Sequence, residues 1–145
     1  MTRGGFGSKV HLMSDANGLP IACVLTQGNR NECPVFDALL DDALANTGGV
    51  LPARLAADRG YSADRIRRKL SAMGIEPVIP MRRTEHVIDR PALNAAAYRG
   101  RNVIERCVGR LKEMRRLGTR YEKLASSYLA MLSLGMAVLY LRALT

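Results

Sequence analysis

The sequence has few of the side chains that bind soft metals or form disulfides. Its 145 residues include only three cysteines and two histidines, and no two cysteines have the Cys-x-x-Cys spacing. This pattern favours reduced thiols in a cytosolic protein, and it argues against both a disulfide framework and a zinc site. A metal ion in this protein is therefore expected on carboxylates, which favours magnesium or manganese.

The sequence also lacks a signal peptide, because no apolar core follows the first charged residue. One long apolar run is present over residues 124–144, with Arg142 as its single charge. Its length could span a bilayer, but its serines, its glycine and its tyrosines dilute its hydrophobicity. A buried core helix is therefore favoured over a membrane span, and we expect no membrane partner.

Acidic residues are in deficit. Lys plus Arg number 22 against 13 Asp plus Glu, for a formal net charge of +9. This excess favours a polyanionic partner, most often nucleic acid, and carries no information about the fold. Between residues 99 and 123, nine basic residues stand against three acidic ones, a net charge of +6. Such a concentration of charge is typical of a segment that contacts a phosphate backbone.

Two elements near the amino end are predicted from turn residues and helical spacing. Asn17-Gly18 lies between two apolar stretches and predicts a β-hairpin over residues 8–27. Pro34 suits the first turn of a helix, and apolar residues at helical spacing continue that helix to about Ala45.

The rest of the chain is predicted to alternate strands and helices. A short strand over residues 54–57 leads to a helix that Ser62 would cap and Gly74 would end. Three more elements follow: a strand over 76–81, a helix over about 96–112 and a helix from about 123. This order predicts an α/β protein, with helices packed on one mixed sheet in a single domain over residues 1–145.

Asp58 is the first of two acidic candidates for chemistry. It follows an apolar strand directly, so its carboxylate is expected at the carboxyl edge of that strand, where ligands gather in open α/β sheets. The alternative is a turn aspartate that accepts a hydrogen bond from the amide of Gly60 or Tyr61.

Glu105 is the second candidate, because cations flank it on a predicted helix. If the surrounding segment is one continuous helix, Glu105 shares a face with Arg101 and Lys112. A carboxylate in that position can hold a divalent ion while the cations hold phosphates. The alternative is a solvated helix face with ion pairs one turn apart.

These residues resemble the DDE transposases of bacterial insertion sequences, in particular family five within the family-four superfamily. The family signature is Tyr, two residues, Arg, three residues, Glu, six residues, Lys. It is matched at every spacing by Tyr98, Arg101, Glu105 and Lys112. Three further segments resemble family motifs: the strand-entry motif at 3–11, the second-Asp motif at 57–62 and the basic tail at 111–123. The resemblance covers essentially the whole chain.

The resemblance implies a ribonuclease-H-like fold in which two aspartates and one glutamate hold two divalent ions, Mg²⁺ or Mn²⁺. By position, Asp58 would be the second aspartate and Glu105 the glutamate, so both are implied to be catalytic and metal-binding. The implied activity is in-line cleavage and strand transfer of double-stranded DNA at terminal inverted repeats and target. The residues implied to bind DNA are Tyr98, Arg101, Lys112, Arg115, Arg116 and Arg120.

The sequence departs from the family pattern at its amino end. The family's first aspartate lies on a strand that precedes the segment with which this sequence opens. Asp15 is at the predicted hairpin tip, and Asp37, Asp41 and Asp42 are on a predicted helix, so none replaces it. We therefore expect the carboxyl portion of a catalytic domain, an incomplete two-ion site, little strand cleavage by the chain alone, and poor solubility.

The origin and the partners of such a chain stay open at this stage. A frameshifted half, a misassigned start and a decayed remnant all fit the departure. The expected partners are double-stranded DNA and either a second copy of the chain or the product of an upstream reading frame. A cytoplasmic, nucleoid-associated location is implied.

Other functions remain as alternatives. A non-catalytic DNA-binding module could use the helix within residues 62–80 together with the basic tail. A tyrosine recombinase would use Tyr98 or Tyr121 as its nucleophile, but no histidine accompanies the flanking arginines. A basic membrane-surface protein is disfavoured, because the apolar tail lacks cations opposite an apolar stripe. His86 is expected in a loop and Cys107 in the packed face of its helix.

Overall fold

The computed structural model describes residues 7–83, 85, 92–119 and 122–145. Its strands are β1 (Ser8–Ser14), β2 (Pro20–Gln27), β3 (Arg54–Ala56) and β4 (Glu76–Val78). Its α-helices are α1 (Phe36–Asn46), α2 (Asp64–Ala72), α3 (Ala95–Arg99), α4 (Asn102–Glu113), α5 (Arg115–Gly118) and α6 (Ala125–Ala143). Short 3₁₀ turns lie at Cys33–Val35 and Arg59–Tyr61.

The expected α/β class is confirmed, but the strands pair differently from the expectation. The described strands form two separate two-stranded sheets, β1 with β2 and β3 with β4, where one mixed sheet was predicted. The chain divides into two compact units, the first made of Met1–Arg30 and Asn102–Thr145 and the second of Asn31–Arg101.

The first unit begins with the predicted hairpin, in which β1 and β2 are antiparallel. Gly18 has a φ of 79°, a left-handed conformation that glycine adopts without a steric penalty. The Oδ1 atom of Asp15 accepts hydrogen bonds from the amides of Asn17 and Leu19 at 3.0 and 2.7 Å. Asp15 therefore organises the hairpin turn, which agrees with its exclusion as a strand-borne catalytic residue.

Three helices complete the first unit around one apolar core. Helix α4 contacts β1, α6 contacts β2, and α5 contacts both of these helices. The buried members of the core are Cys107, Leu111, Leu117, Tyr128, Leu132 and Leu139. Cys107 is fully buried, as predicted, and this burial raises the pKa of its thiol.

Helix α6 contains most of the apolar carboxyl-terminal run. Its buried residues, which include Tyr128 and Leu132, face the core of the first unit. Leu134 and Leu141 are 57% and 63% exposed. Among the described residues this is the one helix whose length and composition would allow a membrane span. The expected burial of this helix in the core is thus observed for one face, and other apolar side chains of the helix are exposed.

In the second unit, β3 and β4 pair in parallel and α2 connects them. Asp37 on α1 binds Arg65 and Lys69 on α2 at 2.7 and 2.8 Å, which ties the two helices together. Helix α2 ends before Gly74, whose φ is 76°. The predicted strand, helix and second strand are therefore present in the predicted order, although β4 is shorter than predicted.

Two predicted helix boundaries are wrong. Ser62 does not cap α2, because Ala63 is the N-cap residue and the Ser62 hydroxyl instead donates to Glu85. The helix predicted over 96–112 is interrupted between α3 and α4 at Gly100 and Arg101. Glycine is a weak helix former, so the helix is interrupted there, and Arg101 lies outside α4.

Gly109 and Gly135 support opposite predictions for replacement by alanine. A Cβ on Gly135 would lie 2.7 Å from Leu117 Cδ1 and 3.0 Å from Met114 Sδ. Gly135→Ala is therefore expected to overpack the core at a cost of about 1–3 kcal/mol. This cost should outweigh the gain of about 0.5–1 kcal/mol in helix propensity, so the free energy of unfolding should fall. Apart from the backbone of α4 and the chain neighbours, no described atom lies within 4 Å of a Cβ built on Gly109.

Gly109→Ala is accordingly expected to raise the free energy of unfolding by about 0.5–1 kcal/mol through helix propensity. Urea unfolding followed by circular dichroism measures both variants against the unmodified chain. Shifts of the same sign in the two variants would contradict this packing of α4, α5 and α6.

Candidate active site

Asp58 lies at the carboxyl end of β3, as predicted. The amide of Ala57 donates to the carbonyl of Val78 at 3.2 Å, so the parallel pairing reaches the residue before Asp58. Asp58 also caps the 3₁₀ turn that follows, and its Oδ1 accepts a hydrogen bond from the amide of Gly60 at 2.8 Å. The turn interpretation is confirmed by this hydrogen bond, and Asp58 is also exposed beside the end of the strand, while its chemical role stays a prediction.

Glu32 lies close to Asp58, and sequence reasoning missed it. A Cβ on Gly60 would lie 2.8 Å from Asp58 Oδ1 and 2.9 Å from Glu32 Cδ, so the two acidic side chains approach the same small space. Burial raises the pKa of Tyr61, and the negative charges of Asp58 and Glu32 raise it further. No spacing signal connects residues so far apart in sequence, because the fold alone brings Glu32 here.

A polar network adjoins the turn of Asp58 in the second unit. Arg67 is 8% exposed, and it donates to Glu85 Oε2 at 2.8 Å and to Ser62 Oγ at 2.6 Å. The Ser62 hydroxyl in turn donates to Glu85 Oε1. Burial raises the pKa of Glu85, but the hydrogen bonds from Ser62, Arg67 and the Arg82 amide outweigh it and hold that pKa below its ordinary value.

Glu105 is exposed on α4 in the first unit. Lys112 lies two turns later on the same helix and is exposed too, while Cys107 and Leu111 face the core. The predicted common face of Glu105 and Lys112 is therefore present. The predicted third member, Arg101, is on the second unit, because the helix breaks before Asn102.

Tyr98 and Arg101 form a separate contact. The guanidinium carbon of Arg101 lies 5.6 Å from the centroid of the Tyr98 ring, within the range of a cation–π interaction. Of the four signature residues, Tyr98 and Arg101 are in contact with each other, and Glu105 and Lys112 are on one face of α4. Asp58 belongs to the second unit and Glu105 to the first.

The basic segment contains cations with different roles. Arg115 and Arg116 are exposed on α5, and Arg116 Nη1 lies 3.7 Å from Glu122 Oε1. Arg110 instead donates to the carbonyl of Gly18 at 2.5 Å and so fastens the hairpin turn to α4. Arg120 and also Tyr121 and His86 lie outside the described residues.

The cations of α2 are committed to acidic partners. Arg65 and Lys69 pair with Asp37, Arg67 with Glu85, and Arg68 with Asp64. Within the described ranges, Arg106, Lys112 and Arg115 on α4 and α5 form no such ion pair. A helix that binds phosphates needs cations that are not neutralised by carboxylates. Among the described residues, the cations of α2 are thus all paired with carboxylates, while these three on α4 and α5 are not.

Comparison with known proteins identifies the family of the chain. The family model named transposase DDE domain matches residues 2–140. The chain belongs to the transposase DDE domain family. No solved structure matches its sequence significantly.

Two relatives of this transposase-family chain carry transposase names. One, from Burkholderia cepacia, is named for insertion sequence element IS402 and is 40% identical over 135 residues, which are 89% of this chain. The other, from Brucella ovis, is named for insertion sequence element IS6501 and is 31% identical over 139 residues, which are 93% of this chain. The chain spans 60% of the length of the first relative and 98% of the second.

Transposases of the DDE family use divalent metal ions, and the donors in this chain suit such ions. Asp58 and Glu105 are exposed carboxylates, the hard oxygen ligands that Mg²⁺ and Mn²⁺ prefer. Within the described part of the chain, no group of three or more potential metal-ligating side chains lies together. The donor chemistry therefore fits a divalent ion, and these two residues supply separate carboxylates.

Glu85→Gln tests the polar network beside Asp58. It is expected to lower the free energy of unfolding at neutral pH by roughly 1–3 kcal/mol, because Arg67 and Ser62 lose an ionised partner. The folded-state pKa of Glu85 is below its ordinary value of 4.5. Its contribution to stability is thus present above that ordinary pKa and is lost as pH falls through the folded-state pKa.

Denaturation at a series of pH values checks this expectation. In the acid range, the free energy of unfolding of the Glu85→Gln variant should fall less than that of the unmodified chain. The matched control is Asp64→Asn, which removes an exposed pair with Arg68 and should change stability little. If the variant and the unmodified chain lose stability equally in acid, the assigned role of Glu85 is wrong.

Proposed function

We propose that this chain is the catalytic portion of an insertion-sequence transposase. It would bind double-stranded DNA at element ends and target and take part in metal-dependent phosphodiester cleavage and strand transfer. The observation that carries the proposal is the exposed face of α4, on which Glu105 and Lys112 lie two turns apart. Family membership and the carboxylate of Asp58 at a strand edge support it.

We further infer a ribonuclease-H-like fold for the whole catalytic domain. The parallel β3–β4 pair with α2 as its crossover is consistent with that architecture. A working assembly would contain a second chain, either another copy or the product of an upstream reading frame. A protein that acts on bacterial chromosomal DNA would work in the cytoplasm, at the nucleoid.

In this proposal each site residue has one task. Asp58 and Glu105 would hold divalent ions through their carboxylate oxygens. Bound ions of this kind supply activation of a water or 3′-hydroxyl and neutralise charge on the leaving oxygen. The residues assigned to orient DNA through its phosphates are Tyr98, Arg101, Lys112, Arg115, Arg116 and Arg120.

Lys112→Ala tests the DNA-binding surface. Because a lysine that contacts a phosphate releases a counterion, its loss should weaken binding to all DNA sequences. The slope of log K against log salt concentration should also decrease by about 1. Fluorescence anisotropy of a labelled duplex, titrated at several salt concentrations, measures both effects.

Arg68→Ala is the matched control on α2. Its guanidinium already pairs with Asp64 at 2.7 Å, so we expect the salt slope to stay unchanged. Equal losses in Lys112→Ala and Arg68→Ala would show that binding follows total charge, and the assigned surface would be wrong.

Asp58→Asn and Glu105→Gln test the metal site. With Fe²⁺, ascorbate and peroxide, an iron ion bound in place of Mg²⁺ should cleave the backbone near residues 58 and 105. Mass spectrometry should locate these cuts. Each substitution should remove cleavage near the altered residue, because it removes an anionic ligand, and should leave DNA binding intact.

The same experiment decides between the proposed enzyme and a non-catalytic DNA-binding chain. If the unmodified chain binds DNA yet shows no iron-localised cleavage near either residue, the catalytic assignment fails. DNA binding would then be the function that remains.

A further inference from the structure

Arg82 holds the turn that carries Asp58. Its Nη2 atom donates to the carbonyl of Gly60 at 2.8 Å, and its Nε atom donates to the carbonyl of Arg59 at 3.2 Å. A guanidinium presents its donors in a rigid planar fork, so one side chain can bind two successive carbonyls. These donors are thereby directed to the backbone of the turn.

One of the two carbonyls links Arg82 to Asp58. The carbonyl of Arg59 and the amide of Gly60 belong to the same planar peptide group. The oxygen of this peptide accepts from Arg82, and its N–H donates to Asp58 Oδ1 at 2.8 Å. An arginine that fixes the plane of this peptide therefore also fixes the direction of the hydrogen bond from the Gly60 N–H to the Asp58 carboxylate.

Arg82 is itself held in place by the polar network. Its backbone amide lies 3.3 Å from both Ser62 Oγ and Glu85 Oε1. The buried Arg67 binds the same two side chains. The backbone of Arg82 is therefore anchored, and its side chain reaches the turn from a fixed point.

We propose that Arg82 is a positioning residue for Asp58. Its guanidinium orients the Arg59–Gly60 peptide, and the amide of Gly60 holds Oδ1 so that the carboxylate is preorganised to bind a cation. The inference rests on the proposed function, in which Asp58 binds a divalent ion. In this role Arg82 acts through the peptide and is not itself a ligand of the ion.

The amide proton of Gly60 is a direct reporter of this arrangement. In the ¹⁵N–¹H spectrum of the full chain it should appear downfield, because it donates to a carboxylate. Arg82→Lys keeps the charge but loses the planar fork, so the Gly60 signal should move upfield and the amide should exchange faster with solvent. Asp58→Asn should also move this signal. That shift would show that the chemical shift of the Gly60 amide reports its hydrogen bond to Asp58.

A matched control distinguishes the loss of the Arg82 guanidinium contacts from a general effect of replacing an arginine by lysine. Arg68→Lys makes the same replacement on the exposed side of α2 and should leave the Gly60 signal in place. Arg82→Gln is the second variant, and the Gly60 signal is measured in it if Arg82→Lys fails to fold. An unmoved Gly60 signal in a folded Arg82 variant would overturn the inference.

Titration with Mn²⁺ then tests whether the positioning matters for the metal. Paramagnetic broadening of amides near Asp58 should require about tenfold more Mn²⁺ in Arg82→Lys than in the unmodified chain, as is typical when the partner of a metal ligand is lost. If the Gly60 signal moves while the apparent Mn²⁺ affinity is unchanged, the inference is overturned.

The two proposals fail in distinguishable ways. If Mn²⁺ broadens no amide near Asp58 in the unmodified chain, the metal-binding part of the proposed function fails. The role of Arg82 as a cation-site positioning residue fails with it. If Mn²⁺ binds and the Arg82 variants match the unmodified chain, only the inference about Arg82 fails.

Discussion

The parallel pairing of β3 with β4 is the constraint on which the candidate site of the second unit depends. Parallel strands end at the same edge of a sheet, so the segments that follow them are brought side by side. Asp58 follows β3, and Arg82 and Glu85 follow β4. The contacts of Arg82 with the Asp58 turn are a consequence of this pairing, since Arg59 and Arg82 lie far apart in sequence.

The basic residues of this chain have two kinds of role, one in stabilising the fold and one in the proposed binding of DNA. Arginines on α2 pair with acidic side chains, and the little-exposed pair of Arg67 with Glu85 is the one expected to stabilise the second unit. On α4 and α5 the exposed Lys112 and Arg115 are among the cations proposed to contact phosphates. Net charge alone predicts a polyanionic partner but does not identify the surface. Arg110 shows the difference, because it belongs to the basic segment yet binds a backbone carbonyl.

Much of the local structure was predictable because it depends on near neighbours in the chain. The hairpin follows from the Asn17-Gly18 turn, and the end of α2 follows from Gly74. The helix break at Gly100 was not predicted, because the helical spacing of Glu105 and Lys112 was assumed to continue back to Arg101. The role of Ser62 was missed because a distant acceptor, Glu85, binds the hydroxyl that would otherwise cap α2.

The sequence by itself determined the family, the Tyr98, Arg101, Glu105 and Lys112 spacing, and the position of Asp58 after a strand. These properties are carried by residue types at fixed spacing, which remain the same whatever the fold. Only the tertiary structure decided that Glu32 and Arg82 adjoin the Asp58 turn, and which cations are committed to carboxylates. Such contacts depend on packing between segments far apart in sequence, for which local spacing has no signal.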